Sequence, residues 1–145
     1  MKKRFASLWF PHLKTDWLTV CKPHLQNIPF VLSIAAQGRL IVSGSNLLAE
    51  QAGVHSGMAI ADARAFIPSL KIINEQAGLA EKLLHSIAEW CIRYTPQVAL
   101  DTPDGIILDI SGCAHLWGGE AAYLTSIVSK FRQHGYDVRM GIADT

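Results

Sequence analysis

The chain has little cysteine and no excess of charge of one sign, and each shortage excludes a class of protein. Its 145 residues include three cysteines, Cys21, Cys91 and Cys113, and no CxxC spacing. A disulfide framework and a zinc site are therefore not expected. The formal net charge is +1. That balance lacks the basic footprint of a dedicated, non-specific nucleic-acid-binding protein.

The sequence also lacks an apolar run of the length that a membrane span needs. Its histidines are scattered and form no HxxxH pair with a nearby carboxylate, so neither a metal site nor another cofactor is expected. Residues 1–4 resemble the basic start of a signal peptide, but Pro11, His12 and Lys14 interrupt the apolar stretch that follows. We therefore expect a cytoplasmic protein whose thiols are free.

What the chain does have is enough apolar residues for a core, since 50% of its residues are hydrophobic and 17% are charged. Apolar periodicity and Gly/Pro breaks predict seven strands, at residues 4–10, 30–36, 39–43, 70–73, 98–100, 106–110 and 136–143. Helical spacing predicts five helices, at residues 15–21, 46–51, 59–66, 80–94 and 120–134.

The order of these elements predicts an α+β fold. Without residues 11–74 the order is strand, helix, strand, strand, helix, strand, which is the ferredoxin-like βαββαβ pattern. We therefore expect one domain formed by residues 1–10 and 75–145, with residues 11–74 as a small αβ insertion. The sequence stops just after a predicted strand, so further domains are expected beyond residue 145. The glycine-rich segment 112–119 matches neither GxGxxG nor a Walker A loop.

Two segments resemble the Y-family DNA polymerases. Residues 46–58 read Asn-Leu-Leu-Ala-Glu-Gln-Ala-Gly-Val-His-Ser-Gly-Met, similar to the family's fingers segment Asn-Tyr-Glu-Ala-Arg-x-x-Gly-Val-x-x-Gly-Met. Residues 103–111 read Pro-Asp-Gly-Ile-Ile-Leu-Asp-Ile-Ser, similar to the family's Ile-Asp-Glu-Ala-Tyr-Leu-Asp-Val-Thr. The resemblance implies a ferredoxin-like palm that carries an inserted fingers subdomain.

Three further stretches resemble ImuB-type proteins, a polymerase-like group of bacterial induced-mutagenesis cassettes. They are residues 5–11 with the following Thr15 and Asp16, residues 89–96, and residues 109–120. The resemblance implies a catalytically inactive scaffold that links an ImuA-like RecA-related protein, an error-prone replicative-type polymerase and the sliding clamp. Those contacts are expected beyond residue 145, and primer–template DNA is a further candidate partner.

The residues that polymerase chemistry needs are largely missing from the matched positions. Two-metal nucleotidyl transfer needs a cluster of carboxylates, yet the resemblance places Leu8 at the strand-one aspartate and Gly105 at one hairpin carboxylate. Asp104 alone matches a catalytic carboxylate and is expected to be vestigial. Leu47 replaces a tyrosine and Glu50 replaces an arginine that contact the triphosphate. We therefore expect no catalysis, no nucleotide binding and no metal site.

Each candidate residue also has a structural interpretation, which the residue types favour. Asp104 before a glycine suits a tight turn. Asp109 in an apolar strand is expected to bond nearby backbone or the following loop. Packing is favoured over base stacking for Trp9, Trp90 and Trp117, and a structural role is favoured over catalysis for His115. A solvated terminus is favoured over phosphate contact for Lys2, Lys3 and Arg4.

Three functions remain open at this point. The first is the non-catalytic scaffold in DNA-damage-induced mutagenesis and translesion synthesis. The second is an active translesion polymerase with rearranged metal ligands, which the absence of any acidic residue in the first strand disfavours. The third is a ferredoxin-like regulatory domain unrelated to polymerases.

Overall fold

The computed structural model describes residues 3–144, and it has seven strands and five α-helices in the predicted order. The strands are β1 (Phe5–Trp9), β2 (Phe30–Ala36), β3 (Arg39–Ser45), β4 (Lys71–Asn74), β5 (Val98–Asp101), β6 (Gly105–Asp109) and β7 (Arg139–Ala143). The helices are α1 (Leu13–Cys21), α2 (Leu47–Gln51), α3 (Ile60–Phe66), α4 (Leu79–Cys91) and α5 (Glu120–Gln133), and 3₁₀ turns cover Pro23–Leu25 and Ala114–Trp117.

Two predicted boundaries are wrong by three residues, and local hydrogen bonds explain both. Helix α4 was expected to reach residue 94, but its last turn tightens as the Tyr94 N–H donates to the Cys91 carbonyl at 2.9 Å. Strand β7 was expected from residue 136. Instead the Tyr136 N–H donates to the Phe131 carbonyl at 3.0 Å, which closes the end of α5 before the strand begins.

The chain divides into two compact units, one comprising the residues up to Leu13 and from Ala80, the other Lys14–Leu79. In the first unit a four-stranded sheet has the order β5-β6-β1-β7, and every neighbouring pair is antiparallel. This is the strand order of a βαββαβ ferredoxin-like sheet. The predicted α+β class and its ferredoxin-like order are therefore confirmed.

One face of this sheet is buried and the other is open. Along β1 burial alternates, with Ala6 and Leu8 fully buried as the two-residue period of a strand requires. Their cross-strand neighbours Leu108 and Ile106 are buried as well. Helices α4 and α5 contribute further apolar side chains to the core, namely Leu84, Ile87, Tyr123, Ile127 and Phe131.

The second unit is a three-stranded sheet of order β3-β2-β4, in which β2 and β3 form the predicted hairpin. Gln37 and Gly38 form its turn with φ angles of 53° and 75°, as a type I′ turn requires. Strand β4 joins β2 in parallel. Helices α2 and α3 cover the sheet through a shared apolar cluster of Val31, Val42, Ala49, Val54, Ile60, Ala63 and Leu70.

Candidate functional site

The turn between β5 and β6 brings four residues into one row across the first unit's sheet. Asp101 pairs with Gly105, Gly105 pairs with Trp9, and Trp9 pairs with Arg139. Cross-strand neighbours project from the same face. Trp9 is 44% exposed, so the row lies on the open face, beside the turn that carries Asp104.

The carboxylate of Asp104 is bonded to a side chain of β1. Its Oδ2 accepts a hydrogen bond from the Trp9 indole Nε1 at 3.0 Å. The Arg139 guanidinium carbon lies 5.2 Å from the centroid of the Trp9 ring, a cation–π contact. The N–H of Phe10 also donates to the Asp104 carbonyl at 2.9 Å. Both the side chain and the backbone of Asp104 are therefore tied to the end of β1.

Gly105 occupies a place with little room for a side chain. A Cβ atom there would lie 3.1 Å from the Leu8 carbonyl oxygen and 3.2 Å from the Asp101 carbonyl oxygen. Both are backbone atoms, so they can move away from a Cβ atom only if the strands themselves shift. The Asp101 Oδ2 atom would lie 3.4 Å from the same Cβ. The carboxylate of Asp101 on β5 therefore lies close to Gly105, the position at which the resemblance places a glutamate.

Leu8 lies on the other face of β1. Its side chain is fully buried, and its cross-strand neighbour is Ile106 in the core. Trp9 is thus the residue of β1 that contacts Asp104, while the alignment of Leu8 with a strand-one carboxylate stays a prediction. Packing of Trp9 in the core is therefore not observed, since 44% of the residue is exposed. Alternation with Ala6 and Leu8 was the sequence signal that could have placed it outside.

The two positions assigned to triphosphate contacts lie on α2. Leu47 is 55% exposed and Glu50 is exposed, and a spacing of three residues makes them neighbours on the helix surface. Asn46 fixes the start of this helix, because its Oδ1 accepts from the N–H groups of Ala49 at 3.0 Å and Phe30 at 3.1 Å. The surface they present is apolar and acidic.

At the end of the first unit's sheet opposite the β5–β6 turn, charged residues are paired. Asp109 accepts from the Ser111 N–H at 3.0 Å and lies 3.5 Å from the Lys3 Nζ. The hydrogen bonds from Ser111, followed by the charge of Lys3, lower the pKa of Asp109. Arg4 forms ion pairs with Glu120 and Asp144. The loop contact expected of Asp109 is confirmed. Lys3 is exposed, as expected of a solvated terminus, whereas Arg4 is half-buried and held by its two ion pairs. Lys2 lies outside the described residues.

The remaining candidates lie apart from the turn. Trp90 packs against Tyr94 and Phe131, with ring centroids 5.3 and 4.8 Å away, as the packing interpretation predicts. Trp117 and His115 are exposed on the loop before α5. Burial raises the pKa of the Cys91 thiol to about 12. All three cysteines are free.

Within residues 3–144, no three His, Cys, Asp or Glu side chains are grouped closely enough to hold a metal ion. No helix in this part of the chain is long and apolar enough to cross a membrane.

The sequence of the chain is similar to a known protein family and to several of its relatives. Residues 8–145 match the model of the impB/mucB/samB family (IMS). Over 93 residues, or 64% of the chain, it is 42% identical to the protein ImuB of Caulobacter vibrioides (strain NA1000 / CB15N). Over 111 residues, or 77% of the chain, it is 31% identical to DNA polymerase IV of Serratia proteamaculans. The chain spans 20% and 30% of the lengths of these two relatives.

Solved structures share the fold. The insertion ternary complex of Dbh DNA polymerase matches 97% of the chain with a TM-score of 0.82 at 18% identity. DinB from Sulfolobus solfataricus matches 97% with a TM-score of 0.80 at 19% identity. The chain covers 42% of each. The open-faced sheet, its inserted αβ unit and the family match lead to one conclusion: the chain belongs to the impB/mucB/samB family.

Proposed function

We propose that the chain is the polymerase-like body of a non-catalytic scaffold in DNA-damage-induced mutagenesis and translesion synthesis. In this proposal residues 1–10 and 75–145 act as the palm-like domain and residues 11–74 as the fingers-like insertion. The protein acts in the cytoplasm and needs no cofactor. The family supplies the polymerase-like fold, and the residues of the β5–β6 turn supply the reason for inactivity.

The observation that carries the proposal is the bond between Trp9 and Asp104. Two-metal catalysis needs carboxylate oxygens that are open to Mg²⁺ and close to one another. Here the Asp104 Oδ2 accepts from an indole N–H at 3.0 Å, and the next position, Gly105, has no side chain and little room for one. In the proposal, an indole N–H from β1 therefore occupies a carboxylate oxygen that the chemistry would need open to a metal ion.

The surface of α2 supports the same conclusion independently. Leu47 cannot hydrogen-bond a phosphate, and the negative charge of Glu50 repels one. Leu47 and Glu50 would weaken nucleotide binding, whereas Gly105 would weaken binding of the metal ions. Reversing the changes on α2 would therefore leave the defect at Gly105 in place.

The partners belong to the proposal as well. The similarity to ImuB supports a role as a bridge among an ImuA-like RecA-related protein, an error-prone replicative-type polymerase and the sliding clamp. We place these contacts in the part of the protein beyond residue 145. Primer–template DNA is a further partner of the body itself.

Primer extension with the full-length protein tests the proposal. A labelled primer–template is incubated with the protein, all four nucleotides and Mg²⁺ or Mn²⁺, next to an active DNA polymerase IV at equal concentration. We expect no extension by the wild type and the same background with Asp104→Asn. Template-directed extension that Asp104→Asn abolishes would overturn the proposal.

Asp101 favours a second candidate, an active translesion polymerase with a displaced carboxylate. Its Oδ2 would lie 3.4 Å from a Cβ atom on Gly105, so a carboxylate is available near the missing one. This candidate predicts extension that is lost in both Asp101→Asn and Asp104→Asn. The third function, an unrelated regulatory domain, is not compatible with the family match.

A further inference from the structure

We draw no further inference here: the strongest candidate, the apolar trough of about 470 Å³ that Phe5, Ile107 and Ile142 line on the open face of the first unit's sheet, is an unpartnered surface, and nothing in the described part of the chain shows what covers it.

Discussion

Trp9 and Asp104 are joined by a hydrogen bond at the turn where the resemblance to polymerases places a catalytic carboxylate. The indole N–H donates to one carboxylate oxygen of Asp104, and the Arg139 guanidinium lies over the Trp9 ring. This hydrogen bond favours the observed arrangement of the two side chains in the folded chain. The proposed loss of catalysis at this turn thus accompanies a contact between Trp9 and Asp104 that stabilises the local structure.

A double-mutant cycle measures that coupling. Trp9→Phe removes the N–H and keeps an aromatic ring, and Asp104→Ala removes the acceptor. We expect a coupling free energy of about 1 kcal/mol in urea unfolding, the usual net value of a hydrogen bond to a partly exposed group. A coupling within about 0.2 kcal/mol of zero would show that the bond is not made in solution.

Glycine at position 105 is required by space rather than by φ. Gly105→Ala places a Cβ atom 3.1 and 3.2 Å from two carbonyl oxygens, so we expect a loss of about 1–3 kcal/mol in the free energy of unfolding. Gly141→Ala in β7 is the matched control, since nothing lies within 4 Å of its Cβ. Equal effects of the two substitutions would contradict the close approach of the strands at Gly105.

The lowered pKa of Asp109 gives stability a defined pH dependence. Hydrogen bonds from Ser111 favour the native carboxylate, so the unfolded chain binds the proton first as the pH falls. The stabilisation is present above the ordinary pKa of 3.8 and is lost below it, as the pH falls through the native pKa. In urea unfolding at pH 3 to 6, the free energy of unfolding should therefore fall less steeply on acidification in Asp109→Asn than in the wild type. Ser111→Ala should show part of the same effect. Identical slopes for wild type and Asp109→Asn would contradict this.

At the scale of elements, helix α2 depends on one side chain. Asn46 accepts from Ala49 and Phe30, and its Nδ2 donates to the Ile28 carbonyl at 2.8 Å. It therefore caps the helix and ties it to the segment before β2. The residue types could predict the cap, because Asn precedes an apolar helical run. The two bonds to distant backbone could not be predicted, since they depend on the position of β2.

Asn46→Ala should lower the stability of the second unit by about 1–3 kcal/mol, the loss of a cap plus unsatisfied backbone groups. Asn27→Ala, an exposed asparagine in the same unit, is the control and should change stability by less than about 0.5 kcal/mol. Amide hydrogen exchange should show that α2 loses protection in Asn46→Ala. Unchanged exchange in α2 would contradict the capping role.

The sequence predicted the elements well because their signals are local. Proline, glycine and apolar spacing placed all seven strands and five helices, with errors mainly where a helix ends in a tightened turn. The site was predicted only in part, because its row of residues exists only once four strands are paired. Asp101 and Arg139 are distant from Trp9 along the chain and carry no motif, so register alone brings them together.

At the scale of the whole molecule, the proposal assigns each unit its own departure from polymerase chemistry. In that proposal the sheet unit lacks carboxylates at Leu8 and Gly105, and the αβ unit lacks triphosphate contacts at Leu47 and Glu50. Nucleotidyl transfer requires the metal ions and the triphosphate together. Restoring either unit alone should therefore leave the protein inactive, even if the restored unit regains its ligand.

This expectation can be tested by rebuilding each unit in the full-length protein. Trp9→Asp with Gly105→Glu should bind Mn²⁺ more tightly than the wild type, whereas Leu8→Asp should unfold the sheet unit, since it buries a charge in the core. Leu47→Tyr with Glu50→Arg should raise nucleotide affinity without activity. Neither pair of substitutions alone is expected to extend a primer. Extension by either pair alone would mean that the remaining unit had kept a working site.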